Sequence, residues 1–337
     1  MAHGTSGAQR PTPWRGVNYN TGTDYAGHGT APVPWPADVV RAHMAAIRDE
    51  LHCTSVSLYG TDVAGLADCA RAAAEAGLHV WLQPRLIEGS AEATLAHLAE
   101  AAGAAEELRG RYGAVDLSVG CELTVFGSGI MPGGSHAERS ALLAEPGTWG
   151  GLPAYSAALN ELLGRALEVA RARFGGRLTY AAGLWEDVAW DGFDFVGVNY
   201  YRTAFNADGY AEGLRRYFAA GKPVLVTEFG CCTFTGAAEM GPGGYAVIDW
   251  SAVPPRLRGD FTRDEPEQAR ALAGQLDVFD AAGVAGAYVF EFVAPKPYSE
   301  DPRFDLDMGS FGLVKVVDGG WLPKESFREL ARRFTAR

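Results

Sequence analysis

The chain has 337 residues, of which 47% are hydrophobic and 21% charged, enough to bury a large core and too apolar for a disordered polymer. Its formal net charge of −12 excludes the basic face that a nucleic-acid partner requires and disfavours an anionic membrane surface. No stretch is long and apolar enough to span a bilayer and residues 1–13 hold no apolar leader, so the sequence reads as cytoplasmic. The odd count of five cysteines, Cys53, Cys69, Cys121, Cys231 and Cys232, fits that compartment as free thiols.

Short β-like runs alternate with Ala-rich helical stretches. After a flexible segment expected over 1–13, strand 1 is predicted over 15–19 and a helix over 37–51. Strand 2 follows at 54–59 and a helix at 63–76, which Gly77 ends as a glycine just past a helix does. Strand 3 (78–83), a helix over 91–112 and strand 4 (116–121) come next. A Gly/Pro-rich excursion over 126–151 is too long for an ordinary connection and reads as a functional loop. A helix over 154–174 leads to strand 5 (177–182), then to a short helical segment that Glu186 and Asp187 are expected to cap. Strand 6 (193–199), a helix over 209–220 and strand 7 (222–228) continue the alternation. A long loop at 230–264, a helix over 265–282, strand 8 (285–291), a third long loop and a helix over 324–334 complete it. Strict alternation implies a parallel sheet, and eight units close into a single (β/α)₈ TIM barrel over 14–337 with long loops after strands 4, 7 and 8. An open doubly wound sheet is disfavoured because no Gly-x-Gly-x-x-Gly turn follows strand 1.

Active sites of such barrels lie at the C-terminal strand ends. Standing there are Asn18, Tyr59, Gln83, Arg85, Glu122, Trp185, Asn199, Tyr200, Tyr201, Glu228 and Glu291. This ring is acidic, polar and aromatic, with no His/Cys metal cluster and no phosphate loop, so neither a metal nor a cofactor is expected. Glu122 ends strand 4 and Glu228 ends strand 7. Two carboxylates across a barrel mouth suit work on an acetal, one protonated to help the leaving group depart and the other ionised. Trp185, Tyr200 and Tyr201 offer stacking faces, and Asn18, Gln83 and Asn199 offer hydrogen bonds to hydroxyls. At least one of Tyr200 and Tyr201 should face the pocket, since neighbours on a strand point opposite ways. Trp81 reads as core. Glu291 reads either as a third functional carboxylate or as a structural partner of Arg15, Arg85 or Lys296. Cys121 reads as a buried inert thiol and Cys231 and Cys232 as loop packing. His28, His43, His52, His79, His97 and His136 lack ligand spacing and are expected mostly in solvent, as is the acidic stretch Asp301, Asp305 and Asp307.

Val226-Thr-Glu-Phe-Gly230 resembles the strand-seven nucleophile motif of the clan A glycoside hydrolases. Val119-Gly-Cys-Glu122 is similar to their strand-four motif, and Phe195-Val-Gly-Val-Asn-Tyr-Tyr201 to their strand six, whose Tyr often contacts the nucleophile. The resemblance covers roughly residues 15–292. It implies a retaining mechanism with Glu228 as nucleophile and Glu122 as acid/base. Two positions depart from the pattern. Cys121 stands where the family carries an Asn that binds the sugar 2-hydroxyl, and Phe290-Glu-Phe292 stands where a Trp platform is common. Residues 305–315 are also similar to actinobacterial proteins labelled abortive-infection proteins, a label without a mechanism. Three readings stay open: a retaining hydrolase of a small glycoside, the same barrel reused as a lyase, cyclase or hydrolase in specialised metabolism, and a silent ligand-binding barrel. In each, the partner is a small molecule.

Overall fold

The computed structural model describes residues 14–25 and 34–335. The segment 1–13 and His28 lie outside the described residues. Eight parallel strands form one sheet: β1 (Trp14–Asn20), β2 (Ser55–Gly60), β3 (His79–Pro84), β4 (Val115–Cys121), β5 (Leu178–Ala181), β6 (Val196–Asn199), β7 (Val224–Phe229) and β8 (Gly286–Val289). Their order is β5-β4-β3-β2-β1-β8-β7-β6. A parallel bridge between Ala182 and Val198, with Asn199 N donating to Ala182 O at 2.8 Å, joins the two edges and closes the barrel. Closure there depends on Gly197, because a Cβ at that position would stand 2.2 Å from Tyr180 O.

The strands are buried on both faces, which is why they read as near-continuous apolar runs. Around them lie α1 (Ala37–Ala45), α2 (Val63–Glu75), α3 (Ala91–Tyr112), α4 (Leu152–Arg171), α5 (Tyr210–Arg215), α6 (Glu265–Ala282) and α7 (Glu325–Thr335). Asp62, Ser90 and Asp264 accept from the first-turn amides of α2, α3 and α6, each satisfying a donor that the helix start leaves free. Leu66, Cys69, Ala70 and Ala73 of α2 fall at helical spacing and are buried. The main core lies between this helical layer and the outer face of the barrel.

Several expectations need correction, beginning with two helices and two histidines. Residues 183–190 contain no helix. Glu186 is buried instead, and its carboxylate accepts from Thr124 N at 3.1 Å, Thr124 Oγ1 at 2.6 Å, Gly183 N at 2.9 Å and Tyr180 OH at 3.0 Å. It spends its acceptor capacity tying the end of β4 to the end of β5. The helix expected over 209–220 is α5 followed by a tighter turn at Arg216–Ala220. His43 is buried beneath Tyr19, whose hydroxyl lies 2.9 Å from Nδ1, and burial lowers its pKa to about 4. His79 is likewise drawn into the barrel base, described below.

The loops after β7 and β8 carry structure that short-range pattern did not reveal. Ile248–Asp249 pairs with Arg256–Leu257, and Val293–Pro297, Val314–Val317 and Gly320–Pro323 form a small sheet. Asp305 and Asp307 are not solvated. Arg263 grips Asp305 with two 2.9 Å bonds and reaches Asp307 at 2.9 Å, while the fully buried Lys324 lies 2.8 Å from Asp307 and 2.9 Å from Thr233 Oγ1. The two counter-cations come from distant parts of the chain, so the pairing is invisible locally. It welds both loops into one wall beside the barrel mouth.

Candidate active site

Glu122 follows β4 in left-handed backbone, with φ 42° and ψ 47°. A residue with a side chain pays about 1–3 kcal/mol for such a conformation, and it persists only where neighbours enforce it. Here Glu122 N donates to Ala181 O at 3.0 Å and Glu122 O accepts from Val125 N and Phe126 N, opening the short turn Leu123–Phe126. The side chain is half-buried, and Asn199 Nδ2 donates to Oε1 at 2.8 Å. Thr227 Oγ1 donates to Asn199 Oδ1 at 2.8 Å, which fixes the amide the right way round. Burial first, and the Glu228 charge second, push the Glu122 carboxyl up to about 8.

Glu228 on β7 is buried and accepts from three side chains. Arg85 Nη2 donates to Oε1 at 2.7 Å, the Cys121 thiol lies 3.6 Å from Oε1, and Tyr201 OH donates to Oε2 at 3.0 Å. Arg85 is itself buried, bonded to Gln83 Oε1 and stacked 4.1 Å over the Tyr59 ring. Asn199 Nδ2 also lies 3.4 Å from the Cys121 sulfur. Glu122, Asn199, Cys121 and Glu228 therefore form one continuous chain of contacts.

Glu291 follows β8, is buried, and accepts from Tyr59 OH at 2.7 Å. Arg15 bonds Phe334 O, Arg85 bonds Glu228, and Lys296 bonds Gly309 O, so none of the three expected cations pairs with it. Burial pushes its carboxyl up to about 7.

The remaining candidates divide. Tyr201 points to the carboxylates. Tyr200 turns outward: its hydroxyl donates to Tyr210 O at 2.6 Å and its ring packs on Tyr210 and Phe279, so the expectation of a pocket residue is corrected by strand alternation. Gln83 holds Arg85. Asn18 is buried and braces the barrel, with Nδ2 donating to Thr227 O at 2.9 Å and Tyr288 O at 3.3 Å. Trp185 is half-buried, with Nε1 donating to Thr124 Oγ1 at 2.8 Å beside the turn that Glu122 opens. Trp81 packs below with Phe195, Leu225 and Tyr288. Cys231 and Cys232 are buried, and burial pushes all five thiols up, which leaves them poor nucleophiles.

Sequence reasoning missed Thr227, Thr124 and Tyr25. Thr227 had a signal, since it adjoins Glu228 in the strand-seven motif. Tyr25, whose hydroxyl lies 3.5 Å from Arg85 Nη1, had none. Among the described residues no group of three or more His, Cys, Asp or Glu is placed to hold a metal ion. Among them too, no helix is long and apolar enough to cross a membrane.

No sequence-family profile and no curated protein matches the chain. Solved structures do. A GH113 β-mannanase from Alicyclobacillus acidocaldarius in complex with ManMIm superposes with a TM-score of 0.62 over 98% of this chain and 99% of its own, at 19% identity. A GH113 β-1,4-mannanase gives 0.61 over 97% and 99%, at 13% identity. A GH2 β-galacturonidase from Eisenbergiella tayi gives 0.59 over 97% of this chain and 52% of its own, at 15% identity. The chain thus has the (β/α)₈ barrel fold that these glycoside hydrolases share.

Proposed function

We propose that the protein is a retaining glycoside hydrolase acting on a small glycoside. The observation that carries the proposal is the pair of carboxyls at the barrel mouth, Glu122 held by Asn199 and Glu228 by Arg85 and Tyr201, linked through Asn199 and Cys121. Glu122, pushed up to about 8 by burial and by Glu228, keeps its proton at neutral pH and is suited to protonate the leaving oxygen. Glu228 is gripped by Arg85, Tyr201 and Cys121, donors that leave it an acceptor, and is suited to attack the anomeric carbon. The bond to C1 forms as the bond to the leaving oxygen breaks, and that oxygen takes the Glu122 proton. Ionised Glu122 then draws a proton from water, which releases the sugar from Glu228 with net retention.

The barrel neighbours include mannanases and a galacturonidase. An acidic sugar fits this pocket poorly, because the buried guanidinium of Arg85 is already committed to Glu228 and Gln83. Loops welded by Arg263 and Lys324 support a confined ligand rather than a long polymer.

A second reading rests on Cys121. Its thiol occupies the position between Glu228 and Asn199, with no amide there for a 2-hydroxyl, and this favours the same barrel reused for a non-glycosidic reaction in specialised metabolism. A broad panel of aryl glycosides, offered to the wild type and Glu228→Gln, separates the two. Aryl release by the wild type alone supports hydrolysis. Silence of the wild type on every member moves the assignment to the second reading.

A further inference from the structure

Resting on the hydrolase reading of the same pocket, we propose that Glu291 is a recognition site for an amino group, so that the sugar bound at the mouth is an amino sugar with a free ammonium.

The argument starts from supply and demand for hydrogen-bond donors. The carboxyls of Glu122, Glu228 and Glu291 stand around the mouth with the buried guanidinium of Arg85, while Glu186 is satisfied by Thr124, Gly183 and Tyr180. Arg85 is turned to other partners: Nη2 serves Glu228 and Gln83, Nε serves Gln83, Nη1 reaches Tyr25 OH at 3.5 Å, and its face lies on Tyr59. Glu122 is the group suited to carry a proton. Glu291 is then the carboxylate with no ion-pair partner among the described residues. Its donor among the described residues is the neutral Tyr59 hydroxyl, while Lys296, whose Nζ donates to Gly309 O, and Arg85 act on it through space and form no ion pair with it. A buried carboxylate with no cation is unfavourable, and either a proton or a ligand cation relieves it.

A second, independent feature asks for a donor. Asn18 is fully buried, and its Oδ1 has no hydrogen-bond partner. The amide cannot be flipped to repair this, because its NH₂ already donates to Thr227 O and Tyr288 O. Asn18 adjoins Glu291 through the backbone: Asn18 O accepts from Phe292 N at 2.9 Å. It also lies one inward-facing step below the level of Tyr59, since Asn18 pairs with Ser57 and Asn20 with Tyr59. A carboxylate and an orphan amide oxygen on one side of the barrel both call for N–H or O–H donors. An ammonium brings three donors and the missing charge together. A neutral hydroxyl brings one donor and no charge.

Titration calorimetry tests this without any need for turnover. The probes are glucosamine, galactosamine and mannosamine, each against its neutral parent sugar and its N-acetyl form. The proteins are the wild type, Glu291→Gln and Glu228→Gln, each checked for folding by thermal melting. At least one amino sugar should bind about 10- to 100-fold more tightly than its neutral and N-acetyl counterparts. The preference should vanish in Glu291→Gln and persist in Glu228→Gln. Equal binding of amino and neutral sugars, no binding of any amino sugar, or an amine preference that survives Glu291→Gln would each overturn the inference. An amine preference in a protein that cleaves no glycoside would keep this inference and reject the hydrolase reading. Turnover of neutral glycosides with no amine preference would do the reverse.

Discussion

The two ends of the barrel each hold a buried charged cluster, and the clusters differ in closure. At the N-terminal end, His79 Nε2 lies 2.7 Å from Asp116 Oδ2, Ser55 Oγ lies 2.9 Å from His79 Nδ1, and Arg177 clasps Asp116 with three bonds. Trp14 stacks on His79 at 4.7 Å, and the Arg177 guanidinium covers Trp14 at 4.8 Å. The Ser–His–Asp order imitates a nucleophilic triad, but Ser55 is fully buried and its hydroxyl is shared with Tyr288 OH at 2.9 Å. Asp116 is paired with both His79 and Arg177, and the buried hydroxyl is already bonded on two sides. At the C-terminal end, among the described residues, Glu122 is half exposed in strained backbone and Glu291 has no ion-pair partner. A cluster that satisfies itself holds the barrel together, and one left unsatisfied is arranged for a ligand.

Substitutions at the two ends should separate these roles. The largest effect is expected at Glu228. Glu228→Gln should lower kcat/KM by at least about 1,000-fold on any glycoside the wild type cleaves. Glu122→Gln should lose about 100- to 10,000-fold on substrates with poor leaving groups and much less on activated aryl glycosides, which depart without a proton. Steady-state kinetics on the two leaving-group classes would show the split, and equal losses on both would remove the acid role.

At the other end, Asp116→Asn should destabilise the protein by about 2 kcal/mol, because it leaves His79 and Arg177 short of their shared acceptor. KM should stay unchanged. Denaturant melts and kinetics measured on the same preparation check this, and a kinetic loss without destabilisation would erase the contrast.

Tyr200 and Tyr201 place the comparison on neighbouring residues. Tyr201→Phe removes a donor to Glu228 and should lower kcat by about 10-fold. Tyr200→Phe removes the bond to Tyr210 O and should lower stability by about 1 kcal/mol with kcat intact. A reversed pattern would mean the strand presents its other face.

The smallest effect is a shift in stability with pH. Glu122 titrates near about 8 in the folded chain against an ordinary 4.5, so the folded state holds that proton more tightly than the unfolded state. The penalty is absent below about 4.5 and complete above about 8, so stability contributed by this group falls as pH rises through that window. Glu122→Gln removes the penalty, and its Tm should exceed the wild type's by about 1–3 °C at pH 8 and match it near pH 4. A constant offset across that range would contradict the raised value.

What the sequence made legible follows from range. Strand–helix alternation is a short-range pattern, and it yields all eight strands and the carboxyls at their ends. Glu228 was readable as a strand-end carboxyl because it lies on β7, inside a short-range apolar run. Strand alternation placed one of Tyr200 and Tyr201 inside without saying which, and the contact with Tyr210 decides it. Glu186, Arg263, Asp307 and Lys324 were misread or overlooked because their partners are far away along the chain. A solvated acidic stretch and a buried ion network look alike until those partners are brought together. The bracing of β7 and β8 by Asn18 Nδ2 was not legible, because the carbonyls it meets carry no sequence signal.

The central claim is that Glu228 forms a bond to the sugar, and covalent trapping tests it most directly. The protein would be incubated with an activated 2-deoxy-2-fluoro version of its best aryl glycoside, then examined by intact mass and peptide mapping. The account predicts time-dependent inactivation and one glycosyl adduct on Glu228, absent in Glu228→Gln. An adduct on Glu291 or Cys121, or an adduct that persists in Glu228→Gln, would contradict it.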